Sequence, residues 1–140
     1  MTAPGLARPH PDPGEAAVAD GVRRVRERIA AAAGRAGRDP AEVTLVAVAK
    51  LHPVEAIRRA LDAGVTDVGE SYAQELEAKA AALAGAPVRW HFVGRLQRNK
   101  AGTVVAAGAL VHSLASVATA RALGRRAHAQ GTVARALVQV

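Results

Sequence analysis

Lysine is rare in this chain, and its placement is the first chemical clue. Of 19 basic residues only Lys50, Lys79 and Lys100 are lysines, so arginine carries nearly all the positive charge. Lys50 closes the apolar run "VTLVAVAK". An amine at the end of a buried strand is costly unless it is paired or loses its proton. A guanidinium stays protonated, whereas a desolvated lysine can become a free amine and attack a carbonyl to form a Schiff base. The other chemistry-bearing side chains fall at similar points, just after apolar runs: Glu70 and Ser71, His91 and Gly94, His112 and Ser113. His91 lies between Trp90 and Phe92, and neither His91 nor His112 has a partner at metal-ligand spacing. Two hydrogen-bonded histidines lining the end of a sheet, or a contact to a cofactor, are the readings open for them.

Several function classes are excluded by what the sequence lacks. It has no cysteine, so no disulfide framework, thiolate metal site or cysteine nucleophile is possible. It has no Walker loop, GxGxxG fingerprint or HExxH pair. The net charge of +7 invites a polyanion, but the arginines are scattered over helix surfaces ("GVRRVRERI", "AIRRAL", "LGRRAHAQ") and aromatics are scarce, which argues against nucleic acid. No apolar run is long enough for a signal-peptide core or a membrane span, which predicts a soluble, cytoplasmic protein.

These residues need elements to position them, and the pattern supplies five repeats of strand and helix. A leader over 1–13 is expected to be disordered, with one domain over 14–140. A first helix carries Val18, Val22, Val25 and Ile29 at helical spacing, with its arginines outward. "VTLVAVA" is apolar enough for a strand buried on both faces. Then follow the helix "HPVEAIRRALDAG", the strand "VTDVG" and the helix "SYAQELEAKAAALAG". In that helix Tyr72, Leu76, Ala80 and Leu83 share a face, and Glu75 and Lys79 form an i, i+4 pair. "VRWHFVG", a short helix over "NKAGTVVAAG", "LVHSL", a helix capped by Ser116 and the strand "VARALVQV" complete the chain. The alternation predicts an α/β fold with a parallel sheet. A doubly wound flavodoxin-like domain and the first part of a (β/α)8 barrel both fit, and both gather function at the carboxyl ends of the strands.

The sequence resembles the pyridoxal phosphate homeostasis protein family, often called YggS, through "LVAVAKLHP", "AGVTDVGESYAQE", "RWHFVGRLQRNK", "VHSLAS" and "ALVQV". The resemblance implies a (β/α)8 TIM-barrel-like fold of the alanine racemase N-terminal type, truncated here after its fifth strand. It implies pyridoxal 5'-phosphate as cofactor, held as a Schiff base (an internal aldimine) on Lys50, and a role in intracellular homeostasis of that cofactor rather than established catalysis. Ser71 stands where the family commonly has asparagine, and it keeps a short hydrogen-bonding group without the amide. His91, Gln97, Asn99 and Lys100 match the family pattern; Ser71 and His91 are taken as cofactor contacts, with no catalytic residue and no metal. An amino-acid racemase, whose base would have to be the sole tyrosine, Tyr72, and a polyanion-binding module are the alternatives. A full-length member is expected to be a monomer, and a fragment is expected to self-associate through its open sheet edges.

Overall fold

The computed structural model describes residues 8–140. Helix α1 (Glu15–Arg35) is followed by strand β1 (Val46–Val48), α2 (Val54–Asp62), β2 (Asp67–Glu70), α3 (Ala73–Ala82), β3 (Arg89–Phe92), α4 (Ala101–Ala106), β4 (Leu110–Leu114), α5 (Val117–Ala129) and β5 (Ala136–Val138). The five strands form one parallel sheet in the order β1-β2-β3-β4-β5. Each crossover therefore moves one strand further in the same direction. A doubly wound sheet reverses direction at a switch point, and this one does not, so the flavodoxin-like alternative is removed.

Strand alternation divides the sheet into two unlike faces. Val68, Trp90, Phe92 and Val111 point toward the helices, where they pack with Ile57, Leu76, Leu83, Val104 and Leu123 in the main core. The opposite face carries Val46, Val48, Gly69, Asp67, Arg89 and His91, and much of it is open. Val48 on this face is 47% exposed. The expectation that residues 43–49 form a strand buried on both faces is thus corrected. The strand register covers only Val46, Ala47 and Val48, with the Ala49 N–H adding a bond to Gly69 O, and among the described residues β1 is an edge strand with no layer over its second face.

Two other expectations change. Tyr72 stands before the first turn of α3 in extended backbone and is 50% exposed, so it does not share the buried face of Leu76. Within the leader, the backbone N–H of His10 donates to Leu51 O at 2.9 Å, its ring stacks on His52 at 4.8 Å, and Asp12 pairs with Arg59. Residues 10–12 are therefore docked without regular secondary structure, because they find partners on the turn after β1 and on α2; Met1 to Ala7 lie outside the described residues. One outward arginine of α1 also has a structural task. Arg26 donates to Ala63 O at 2.9 Å and Gly64 O at 2.7 Å, satisfying carbonyls at the C-terminus of α2, where cations are favoured.

At the carboxyl ends the strands are drawn together by a close approach. A Cβ on Gly94 would lie within 2.7 Å of the Ser71 carbonyl carbon, closer than real side chains come. The cost of a side chain there is steric and falls on backbone that cannot swing aside. Gly94→Ala is expected to destabilise the protein by about 3 kcal/mol, the upper range for overpacking, as measured by urea denaturation.

Candidate functional site

The carboxyl ends of the strands carry two neighbouring clusters, and a third begins at the amino ends of β2 and β3. The first surrounds Lys50. Lys50 lies two residues past β1 in a turn closed by the His52 N–H donating to Ala49 O at 3.0 Å. Its side chain is exposed, and among the described residues its amine takes part in no hydrogen bond or ion pair. Leu51, the next residue, has φ 64°, a left-handed backbone that a branched side chain seldom adopts. The turn is held from below. Lys79 Nζ donates to Ala49 O at 2.8 Å, Glu70 Oε1 at 2.6 Å and Glu75 Oε2 at 2.7 Å, while the Leu51 N–H donates to Glu75 Oε2 at 2.9 Å. Glu70 is fully buried, and this desolvation raises its carboxyl above the ordinary range although Lys79 pulls it down.

The second cluster joins the ends of β2, β3 and β4. Ser71 follows β2 and is half-buried; its carbonyl lies against Gly94, and the Ser113 hydroxyl donates to Gly94 O. The Val93 N–H donates to Glu70 O at 2.8 Å, continuing the ladder past β3. Beyond this seam opens a cleft of about 1010 Å³ at the ends of β3 and β4, with Arg95, Gln97, Arg98, Asn99 and Ser116 on its walls.

The third cluster runs across the open face of the sheet. Asp67 accepts from Arg89 Nε at 3.0 Å and Nη2 at 2.6 Å, and from His91 Nε2 at 2.8 Å. His91 Nδ1 then lies 2.8 Å from His112 Nε2. A carboxylate can only accept, so a neutral His91 carries its proton on Nε2 and accepts from His112 through Nδ1. The two-pronged contact with Arg89, helped by His91 and Thr66, holds the Asp67 carboxyl well below the usual carboxylate range despite burial. Burial and the neighbouring His91 lower the His112 imidazole.

Among the residues expected from sequence, Ser71 and Gly94 touch, and His91 pairs with His112. Lys50 sits apart on the β1 turn. His91 lies within β3 rather than beyond its end, and both its ring nitrogens are engaged by protein groups. Lys79 and Glu75 form the expected i, i+4 pair, and Lys79 is only 8% exposed because Glu70 and Ala49 O also lie within its reach under the turn. The rarity of lysine, which singles out Lys50, singles out Lys79 equally. Asp67 escapes sequence reasoning, though an aspartate inside the apolar stretch "VTDVG" is the kind of charge that must find a partner when buried.

No family model matches the chain. It is 42% identical over 109 residues to a pyridoxal phosphate homeostasis protein of Pseudomonas aeruginosa, covering 78% of this chain and 47% of that protein. It is 36% identical over 142 residues to the protein of the same name in Mycobacterium bovis, covering 90% of this chain and 55% of that one. The chain thus spans about half the length of these curated relatives. Among solved structures, an unknown protein from Bifidobacterium adolescentis superposes with a TM-score of 0.82 at 34% identity, over 94% of this chain and 57% of that one. PipY of Synechococcus elongatus, solved with PLP bound, gives a TM-score of 0.70 at 39% identity, over 83% of this chain and 54% of its own. Among the described residues no helix is long and apolar enough to cross a membrane, and none of their acidic, histidine or cysteine side chains cluster in a metal-binding group.

The polar chain across the sheet sets a pH dependence. The lowered His112 favours the neutral ring in the folded state, so the unfolded chain takes up the proton first and stability falls as pH drops below about 6.5. Asp67 has the opposite charge type: its contribution is complete above the ordinary carboxylate pKa of about 3.9 and is lost as pH falls further toward its lowered folded value. Urea midpoints are expected to decline from pH 7.5 to 5.5, with a smaller decline in His112→Asn. Asp67→Asn is expected to cost about 2 kcal/mol at pH 7.5, since it breaks charge-assisted bonds to Arg89.

Proposed function

We propose, for a chain that belongs to the pyridoxal phosphate homeostasis protein family, that it binds pyridoxal 5'-phosphate covalently through the amine of Lys50 and serves intracellular homeostasis of that cofactor in the cytoplasm. Its sheet, on this reading, is the first five strands of a (β/α)8 barrel of the alanine racemase type, whose interior is the open face bearing Asp67, His91 and His112. The unreversed order of the five parallel strands supports that architecture.

The observation that carries the reading is the exposed amine of Lys50, which takes part in no ion pair among the described residues, on a turn at the carboxyl end of β1. An amine held in a salt bridge is covered by its partner carboxylate, whereas one at the rim with no such partner is open to an approaching aldehyde. The residues present fit the cofactor at a second point. His52 Nδ1, in the same turn, is buried without a hydrogen-bond partner among the described residues, which leaves a polar position there for a ligand group. Bound pyridoxal phosphate supplies an aldehyde that bonds reversibly to a primary amine with loss of one water.

The remaining tasks belong to the chain's own groups. The Lys50 amine gives up its proton and carries the covalent bond. Ser71, set against Gly94 at the seam of the strand ends, offers a hydroxyl at the rim. His91 is occupied by Asp67 and His112, so it acts by fixing the polarity of the sheet face beneath the site. The cleft with Arg95 and Arg98 presents positive charge on the same side of the sheet, where an anionic group is attracted.

Lys50→Ala is expected to abolish the protein-bound cofactor absorbance band and to weaken binding at least tenfold, about 1.4 kcal/mol. Borohydride reduction of the loaded protein followed by peptide mass mapping is expected to find the modification on Lys50 and on neither Lys79 nor Lys100. A Lys50→Ala protein that kept the band and the adduct would sink the proposal.

A further inference from the structure

Lys79 is the deepest cation among the described residues of this chain, with three acceptors for its three protons. Such an ammonium is expensive to desolvate, and the attraction to Glu70 and Glu75 offsets that cost. What the arrangement achieves is seen in which backbone groups it touches. Lys79 Nζ holds the carbonyl of Ala49, the residue before Lys50. Glu75 Oε2, itself held by Lys79, takes the N–H of Leu51, the residue after Lys50. The same carboxylate oxygen serves both, so the two flanks of Lys50 are tied to one point on α3.

The turn needs such a tie. Leu51 is in the left-handed region at φ 64°, which costs a non-glycine residue on the order of 1 kcal/mol. Without a partner for its N–H that conformation would relax, and Lys50 would swing with it. The clamp also commits the neighbouring carboxylate. Glu75 Oε2 is shared between an ammonium and an amide, which leaves Lys50 as the amine without a counter-ion in the turn.

We propose that Lys79 and Glu75 are positioning residues for Lys50: they fix the backbone on both sides of it, so that its amine leaves the rim in one geometry and without a competing carboxylate. The inference rests on the reading that Lys50 bears the cofactor, and it assigns no contact between the clamp and the cofactor.

Glu75 is the residue to vary, because it is partly exposed and its loss leaves Lys79 paired with the buried Glu70. Lys79→Met would instead strand Glu70 without a counter-ion and endanger folding. Glu75→Ala removes the acceptor for the Leu51 N–H, and Glu75→Gln restores a neutral one. Three quantities are to be measured on the 140-residue chain: the Kd for pyridoxal phosphate from absorbance titration, hydrogen exchange of the Leu51 amide, and the urea midpoint. Glu75→Ala is expected to weaken cofactor binding roughly tenfold, the size of one charge-assisted hydrogen bond. Its Leu51 amide should exchange faster in the absence of cofactor, by a larger factor than the amides of the sheet core, which follow whatever fall occurs in the urea midpoint. Glu75→Gln should fall between the two in both binding and exchange.

Wild-type affinity in Glu75→Ala despite faster Leu51 exchange would overturn the positioning role. So would weaker binding that merely follows a lowered urea midpoint, with Leu51 exchange unchanged relative to other amides. Retention of the cofactor band by Lys50→Ala is a different failure: it removes the cofactor reading, while the exchange measurement on the unloaded protein still reports whether the clamp holds the turn.

Discussion

Glu70 and Lys79 take opposite charges out of water at the point where β2 ends, and the arrangement of the rim follows from that burial. A carboxylate with no solvent must have a cation close by, and only α3, packed directly over the strand end, can deliver one at 2.6 Å. This fixes the rotation of α3, brings Glu75 under the β1 turn, and makes the Ala49 carbonyl the third acceptor. Strand, helix and turn are thus locked by one ammonium. An apolar pair could have filled the same volume, but it would have given no direction to the backbone groups around Lys50.

A second polar system occupies the other face of the same strands. Asp67 begins β2 on the face opposite Glu70, and it draws Arg89 and His91 from β3 and, through His91, His112 from β4. The sheet therefore carries buried charge on both sides of a single four-residue strand. Gly69 lies between, where a Cβ would come within 3.2 Å of Val48 Cγ2. The side chains of Val46 and Val48 on the neighbouring strand take up the room that a side chain at Gly69 would fill.

Much of the fold was legible because its elements obey simple periods. β4 and the Ser116 cap of α5 lie where apolar run and capping chemistry place them, the Ser116 hydroxyl accepting from the Thr119 N–H at 3.2 Å. What the periods could not convey was how the elements meet. The apolar run 43–49 reads as a fully covered strand, yet coverage depends on what packs over each face, and among the described residues nothing covers the second face of β1. Tyr72 satisfies the helical spacing of Leu76 but precedes the helix, a boundary that depends on extended backbone at the end of β2. For the site, Lys50 was readable from residue usage and from the strand that ends beside it. Lys79 was not, since an i, i+4 pair on a helix is ordinarily a solvated one, and its burial needs Glu70 from another element.

The left-handed backbone of Leu51 gives the rim a particular mechanical character. A turn built from ordinary conformations loosens by degrees as its hydrogen bonds weaken. This one is stretched over a residue that returns to another well once its N–H is released, so intermediate shapes have little to hold them. The strand-end turn thus has two catches on one residue: Glu75 takes the Leu51 N–H, and the N–H of His10 donates to the Leu51 carbonyl.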